Sequence, residues 1–192
     1  MPAPRPTLYL VDAMSNIHRA YHAIRGLSTR EGRPTNAVYG FVTMLRKMLR
    51  EHPSEYLAVA FDRAGKTVRH AEYESYKANR PVMEDDLASQ IPEIRRACEA
   101  YRIPVLEMAG YEADDVIGTL SKRAEEAGFD VVIVTADKDM LQLVSGSRVR
   151  VFHTGRETFL DANGVLEFFG VAPGQVVDVL ATMGDAADNI PG

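Results

Sequence analysis

Nine carboxylates are spaced as if they shared one task. Three fall within four positions in the stretch YEADD, as Glu112, Asp114 and Asp115. Three more close apolar runs: TLYLVD ends at Asp12, YLAVAFD at Asp62 and DVVIVTAD at Asp137. Asp139 follows two residues later, and GDAADN carries Asp185 and Asp188, three apart, a spacing that one helical face could present. Taken singly, each has an ordinary explanation. Acids are favoured in the first turn of a helix, an Asp after a strand is a common turn residue, and Asp185 and Asp188 fit a solvated face. Taken together at one place, they would repel strongly unless a cation lay between them. An all-oxygen set without His or Cys selects a hard divalent cation, Mg²⁺ or Mn²⁺ rather than Zn²⁺. Nine carboxylates exceed what one such ion uses, so two or more ions are expected. In two-metal phosphoryl chemistry they lie about 3.5–4 Å apart, one activating water and the other stabilising the leaving oxygen.

What could bring these acids to one place is an α/β fold with a mostly parallel central sheet flanked by helices. The strand-like runs 7–12, 56–62, 103–107, 130–137 and 149–154 are nearly continuous in apolar residues, as strands covered on both faces are. Between and after them lie helical patterns: 35–52, capped by Thr35 or Asn36; 84–101, with Pro92 as a break; 113–128, closed by Gly128; a short 139–144; then 161–170 and 173–184. In an open parallel sheet, ligands bind outside the carboxyl ends of the strands. Asp12, Asp62 and Asp137 end strands, and YEADD opens the helix that follows another. The segment 63–82, RAGKTVRHAEYESYKANRPV, fits no core element and reads as an excursion from the sheet.

Length and composition bound the rest. The chain has 192 residues, 46% hydrophobic and 26% charged, which suits one globular domain with a real core. Cys98 is the only cysteine, so no internal disulfide can form, in keeping with a reducing cytoplasm. No apolar run approaches the ~20 residues of a membrane span, and the expectation is a soluble cytoplasmic protein with no membrane partner. The net charge of −5 argues at first against nucleic acid. Setting the nine acids aside leaves 18 acids against 22 Lys and Arg, a remainder of +4. Within 63–80, Arg63, Lys66, Arg69, Lys77 and Arg80 face only Glu72 and Glu74. Alone, such a run is a solvated surface. Beside a metal-carboxylate site it reads as phosphate-binding, with Tyr73 and Tyr76 interleaved as candidates for base stacking.

The stretches VDAMSNIHRAYHAI, PTNAVYGF, FDRAGKTVRH, YKANRP, GYEADDVIGTL, VTADKDMLQLV and GDAADNIPG, in this order from residue 8 to the last, closely resemble the 5′ nuclease domain of bacterial DNA polymerase I, of the flap endonuclease family. The resemblance implies a PIN-like 5′ nuclease fold with a basic helical arch over about 63–82. It implies a metal-dependent 5′-3′ exonuclease and flap endonuclease that hydrolyses DNA phosphodiesters in replication, repair and primer removal. By motif, Asp12, Asp62, Glu112 and Asp114 would hold the first ion with Asp115 shared, and Asp137, Asp139, Asp185 and Asp188 the second. Lys77 and Arg80 would contact the scissile phosphate from the arch, and Arg19, Lys66, Arg69 and Tyr76 would join them in binding DNA. The implied partners are 5′-flap, nicked or primer-bearing duplexes, including RNA–DNA, acted on by a monomer in the bacterial nucleoid.

The chain departs from the family pattern at Ala13 and Ala136, where Gly is frequent, and at Ala186 and Ala187, where hydroxyls are frequent. No ligand is lost, so these positions bear on backbone fit and outer hydrogen bonds. In the family a helix–hairpin–helix segment that grips duplex DNA follows NIPG, and here 192 residues end at that motif. Weak duplex binding, or a catalytically weak DNA-binding fragment without its polymerase domain, is therefore one alternative, and a PIN-like ribonuclease is the other.

Overall fold

The computed structural model describes residues 5–192. Six strands form one sheet in the order β3-β2-β1-β4-β5-β6. They are β1 (Thr7–Asp12), β2 (Tyr56–Ala60), β3 (Val105–Leu106), β4 (Asp130–Thr135), β5 (Val149–His153) and β6 (Thr158–Leu160). The first five pair in parallel, and β6 returns antiparallel to β5. From β1 the chain moves outward through β2 and β3, then crosses back to place β4 on the other side of β1. That reversal opens a crevice between the carboxyl ends of β1 and β4, the place where ligands bind in open α/β sheets.

Alternate residues of the strands feed two separate cores. Tyr9, Val11, Val59, Val132 and Val134 point to α1 (Ala13–Ala23), α2 (Asn36–Glu51) and α5 (Ile91–Ala100), whose Ile17, Phe41, Leu45 and Ile94 are fully buried. Leu10, Ala58, Val131, Ile133 and Val151 point the other way, to α6 (Ala113–Glu126), α7 (Ala162–Phe169) and α8 (Val176–Met183). Covering both faces explains the unbroken apolar character of these strands. Helices α1 and α2 approach so closely that a Cβ on Gly40 would lie 2.6 Å from that of Ala20.

Several sequence expectations are sharpened. The helical reading of 84–101 resolves into α4 (Asp85–Ala88) and α5, with Pro92 in the first turn of α5, where a missing N–H costs nothing. Helix α2 begins after Thr35, but no side chain of Thr35 caps it. The buried Gln90 does so from 53 residues away, its Oε1 accepting from the N–H groups of Ala37 (2.8 Å) and Val38 (3.2 Å). The stretch 13–23, given no element by the sequence pattern, is α1, and the three-residue β6 was likewise unread. Residues 139–143 form a 3₁₀ turn. Asp185 and Asp188 do not share a helical face. Gly184 ends α8 at φ +67°, and Asp185 and Ile190 then pair across a tight loop. Neither Ala13 nor Ala136 has a positive φ, so alanine fits both positions. Among the described residues no single helix is long and apolar enough to cross a membrane.

Candidate metal centre

The acids are carried by several different elements. Asp12 ends β1 and caps α1, its Oδ1 accepting from the Ser15 N–H at 3.1 Å. Asp62 follows β2 and caps the start of α6 by accepting from the Ala113 N–H at 2.7 Å. Glu112 and Asp114 stand at the first turn of α6, where the helix dipole favours negative charge. Asp137 lies just beyond β4, and its Oδ1 accepts from the Asp139 N–H at 2.9 Å, which fixes the start of the 3₁₀ turn. Asp12, Asp62, Glu112, Asp114 and Asp137 line one cavity of about 690 Å³. Asp139, Asp185 and Asp188 line a neighbouring cavity of about 500 Å³ on the far side of the basic segment.

Crowding and burial shape the electrostatics. The Asp114 carboxyl is pushed up to about 8, first by burial and then by the charges of Asp12, Asp137, Asp62 and Glu112. Burial raises Asp12 to about 6 against the opposing hydrogen bonds from Thr135 and Ser15. Asp139 also rises to about 6, by burial and by the charge of Asp137. One of its oxygens, Oδ1, is buried without any hydrogen-bond partner.

The basic excursion lies across this rim as a strap. It contains the short helix α3 (Val68–Glu72) and is tied down by its own cations. Lys77 Nζ lies 2.7 Å from Glu112, and Arg80 lies 2.5 Å from Asp188. Arg69 grips Asp115 through two bonds of 2.7 Å. Asp115 is held below the usual carboxylate range chiefly by that bond, and it also accepts from the Glu112 N–H at 3.0 Å. Lys77 adopts a left-handed backbone (φ +58°), an uncommon state for a residue with a side chain, and its N–H donates to the Asp188 carbonyl.

Residues 7–170 match the family described as "5′-3′ exonuclease, N-terminal resolvase-like domain". The chain belongs to this family. Its relatives include DNA polymerase I of Pseudomonas aeruginosa, 46% identical over 185 residues, which span 96% of this chain and 20% of that protein. DNA polymerase I of Bacillus subtilis is 41% identical over 191 residues, which span 98% of this chain and 22% of that protein. A 5′-3′ exonuclease of Aquifex aeolicus is 43% identical over 186 residues, 97% of this chain and 64% of that protein. The chain thus spans about a fifth of the polymerase relatives' length. Among solved structures, T5 5′-exonuclease with bound divalent metal ions (zinc) superposes with a TM-score of 0.76 at 22% identity, over 97% of this chain and 69% of that one. The T5 D15 flap endonuclease in a pseudo-enzyme-product complex with DNA and metal ions gives 0.73 at 23% identity, over the same shares. At these identities the two structures establish the shared fold.

In this 5′-3′ exonuclease-family chain the acids fit a hard divalent cation by chemistry. The donors are all carboxylate oxygens, several raise one another's pKa, and one buried oxygen of Asp139 lacks a partner. They are not preassembled around a point. Among the described residues no three His, Cys, Asp or Glu side chains converge closely enough to hold one ion as they stand. Three of the acids, Glu112, Asp115 and Asp188, are instead paired with Lys77, Arg69 and Arg80 of the strap.

One sequence expectation is corrected by position. Tyr76 is not an exposed stacking platform. It is buried, with its hydroxyl 3.1 Å from both Glu112 and Asp188. Arg19, expected to bind DNA, is exposed and borders a separate cavity of about 290 Å³ between α1 and α2. Lys66 is exposed on the strap. Sequence reasoning passed over His18 and Arg95, which line the acid cavity beside Arg63, Lys77 and Arg80. Arg95 offered only a charge, while His18, six residues after Asp12, carried the one available signal: it lies two turns along a helix that starts at a candidate ligand. Asn16 was also missed. Its side-chain amide donates to the carbonyls of Asp12 (2.7 Å) and Val134 (3.0 Å), tying α1 to the end of β4.

Proposed function

We propose that this chain is a divalent-metal-dependent 5′-3′ exonuclease and flap endonuclease that hydrolyses DNA phosphodiesters at 5′ ends. The observation that carries the reading is the meeting of Asp12, Asp62, Glu112, Asp114 and Asp137 at the switch point of the sheet, facing the cations of the strap. In support, relatives above 40% identity are named DNA polymerase I and 5′-3′ exonuclease, and the superposing structures are named for bound metal ions and DNA.

Asp12, Asp62, Glu112 and Asp114 would hold one ion with Asp115 shared, and Asp137, Asp139, Asp185 and Asp188 a second, Mg²⁺ or Mn²⁺ by the hardness of the donors. A divalent ion bound there supplies the Lewis acidity that lowers the pKa of water and offsets charge at the scissile phosphate. The remaining work falls to the chain itself. Asp114, whose pKa stands near 8, must give up its proton for the site to load. Lys77 and Arg80 reach the cavity from the strap, and a phosphate entering there would exchange their carboxylate partners for its own oxygens. Met14, Phe61, Met83 and Ile91 provide an apolar wall that limits water. The substrates would be 5′-flap, nicked and primer-bearing duplexes, met by a monomer in the bacterial nucleoid, with segment 63–82 serving as the arch.

The substrate class is tested by offering the chain a 5′-flap DNA and a single-stranded RNA of equal length, each with Mn²⁺ and with chelator. Metal-dependent release of the DNA flap, with the RNA left intact, is expected. Preferential cleavage of RNA would replace this reading with a ribonuclease.

A further inference from the structure

Strand β4 runs Val131, Val132, Ile133, Val134, each fully buried and apolar, and then ends on a fully buried hydroxyl, Thr135. A polar group in such a place is costly unless both its donor and its acceptor capacity are used. Both are. Thr135 Oγ1 donates to Asp12 Oδ2 at 2.7 Å and accepts from the Asp137 N–H at 3.0 Å. Asp137 Oδ1 in turn accepts from the Asp139 N–H. One hydroxyl therefore begins a chain of bonds that joins Asp12 on β1 to Asp137 and Asp139 beyond β4. These are acids assigned above to two different ions.

We propose that Thr135 is a positioning residue whose hydroxyl fixes the separation of the two metal subsites by clamping Asp12 to the Asp137 turn. This rests on the two-metal reading of the site. Thr135 is fully buried, so it touches neither substrate nor solvent, and it acts only through the carboxylates it orients. Asp12 has one other side-chain restraint, the Ser15 N–H on Oδ1. Without the Thr135 bond, Oδ2 is free to rotate away from the Asp137 side. Valine has the same shape and would keep the packing of β4 while removing both bonds. Serine would keep both bonds and lose only a methyl.

The test is Mn²⁺ binding to the full chain, followed by calorimetry and by electron paramagnetic resonance, in wild type, Thr135→Val and Thr135→Ser. Neither readout requires turnover. The wild type and Thr135→Ser are expected to bind two Mn²⁺ with the spectrum of a magnetically coupled pair. Thr135→Val is expected to melt cooperatively, to lose the coupled spectrum and to bind Mn²⁺ about 10–100-fold more weakly, the usual effect of losing a ligand's hydrogen-bond partner. A coupled pair at wild-type affinity in Thr135→Val would overturn the proposal. So would a Thr135→Ser variant as impaired as Thr135→Val, since the methyl and not the hydroxyl would then matter. If Thr135→Val fails to fold, Thr135→Ala takes its place with the same expected and contrary results. A wild type that binds no Mn²⁺ would instead defeat the metal reading itself, and the proposal with it.

Discussion

Asp114 shows how a proposed metal ligand can work against the fold that carries it. It is enclosed beside four other carboxylates, and its carboxyl is pushed to about 8 by burial and by Asp12, Asp137, Asp62 and Glu112. Its folded pKa lies above its unfolded one, so the neutral acid is the stable form. That stability is present at low pH and lost as pH rises through the folded value. Asp12 and Asp139, both raised to about 6, add to the same trend. The metal-free chain is therefore expected to melt at progressively lower temperature between pH 5.5 and 8.5, and Mn²⁺ should reverse the loss. Asp114→Asn should raise the melting temperature of the metal-free chain at pH 8 and weaken its response to Mn²⁺. Scanning calorimetry with and without chelator measures all of this, and a melting temperature that rises with pH in chelator would contradict it. The nine acids themselves were legible in the sequence, because strand-ending aspartates and a doubled acid at a helix start leave local marks. Their partners were not. The pairing of Arg69 with Asp115, 46 residues apart, has no local signature, nor has that of Arg80 with Asp188, 108 apart.

At the level of elements, the buried strands were readable as apolar runs, but their order around β1 was not, because pairing between strands distant in sequence leaves no local mark. What escaped was short or remotely determined. β6 has three residues, too few for a period. α1 follows β1 without a break, its only boundary being the Asp12 cap. The start of α2 looked like a local cap by Thr35 or Asn36, whereas it is secured by Gln90. That amide is 2% exposed, accepts from Ala37 and Val38, and donates to Asn36 Oδ1 and the Asp86 carbonyl. Gln90→Ala would strand several buried polar groups at once, so it should destabilise the chain by about 2–4 kcal/mol. Urea denaturation would check the value, and a loss below about 0.5 kcal/mol, the range of ordinary surface changes, would show that water replaces the amide freely. α2 packs closely on α1 at Gly40 and Ala20, and α1 lines the acid cavity through Met14, Ser15 and His18.

For the molecule as a whole, the net charge of −5 conceals a division of labour. Five of the acids line the cavity at the switch point of the sheet and three line its neighbour, and the cations of the basic strap pair with Glu112, Asp115 and Asp188, each offsetting the other in the metal-free chain. A divalent ion and a phosphate together offer both partners a substitute: carboxylates for the ion, ammonium and guanidinium groups for the phosphate. Under the proposed function this exchange is catalytic and depends on the acid set. The most direct measurement is cleavage of a 5′-flap DNA at low salt across a titration of Mg²⁺ and Mn²⁺, in the wild type and in Asp137→Asn. Cleavage is expected to rise with either ion, to stop with chelator and to fall to background in Asp137→Asn. Cleavage that persists in chelator, or that is no greater in the wild type than in Asp137→Asn, would overturn the proposed function.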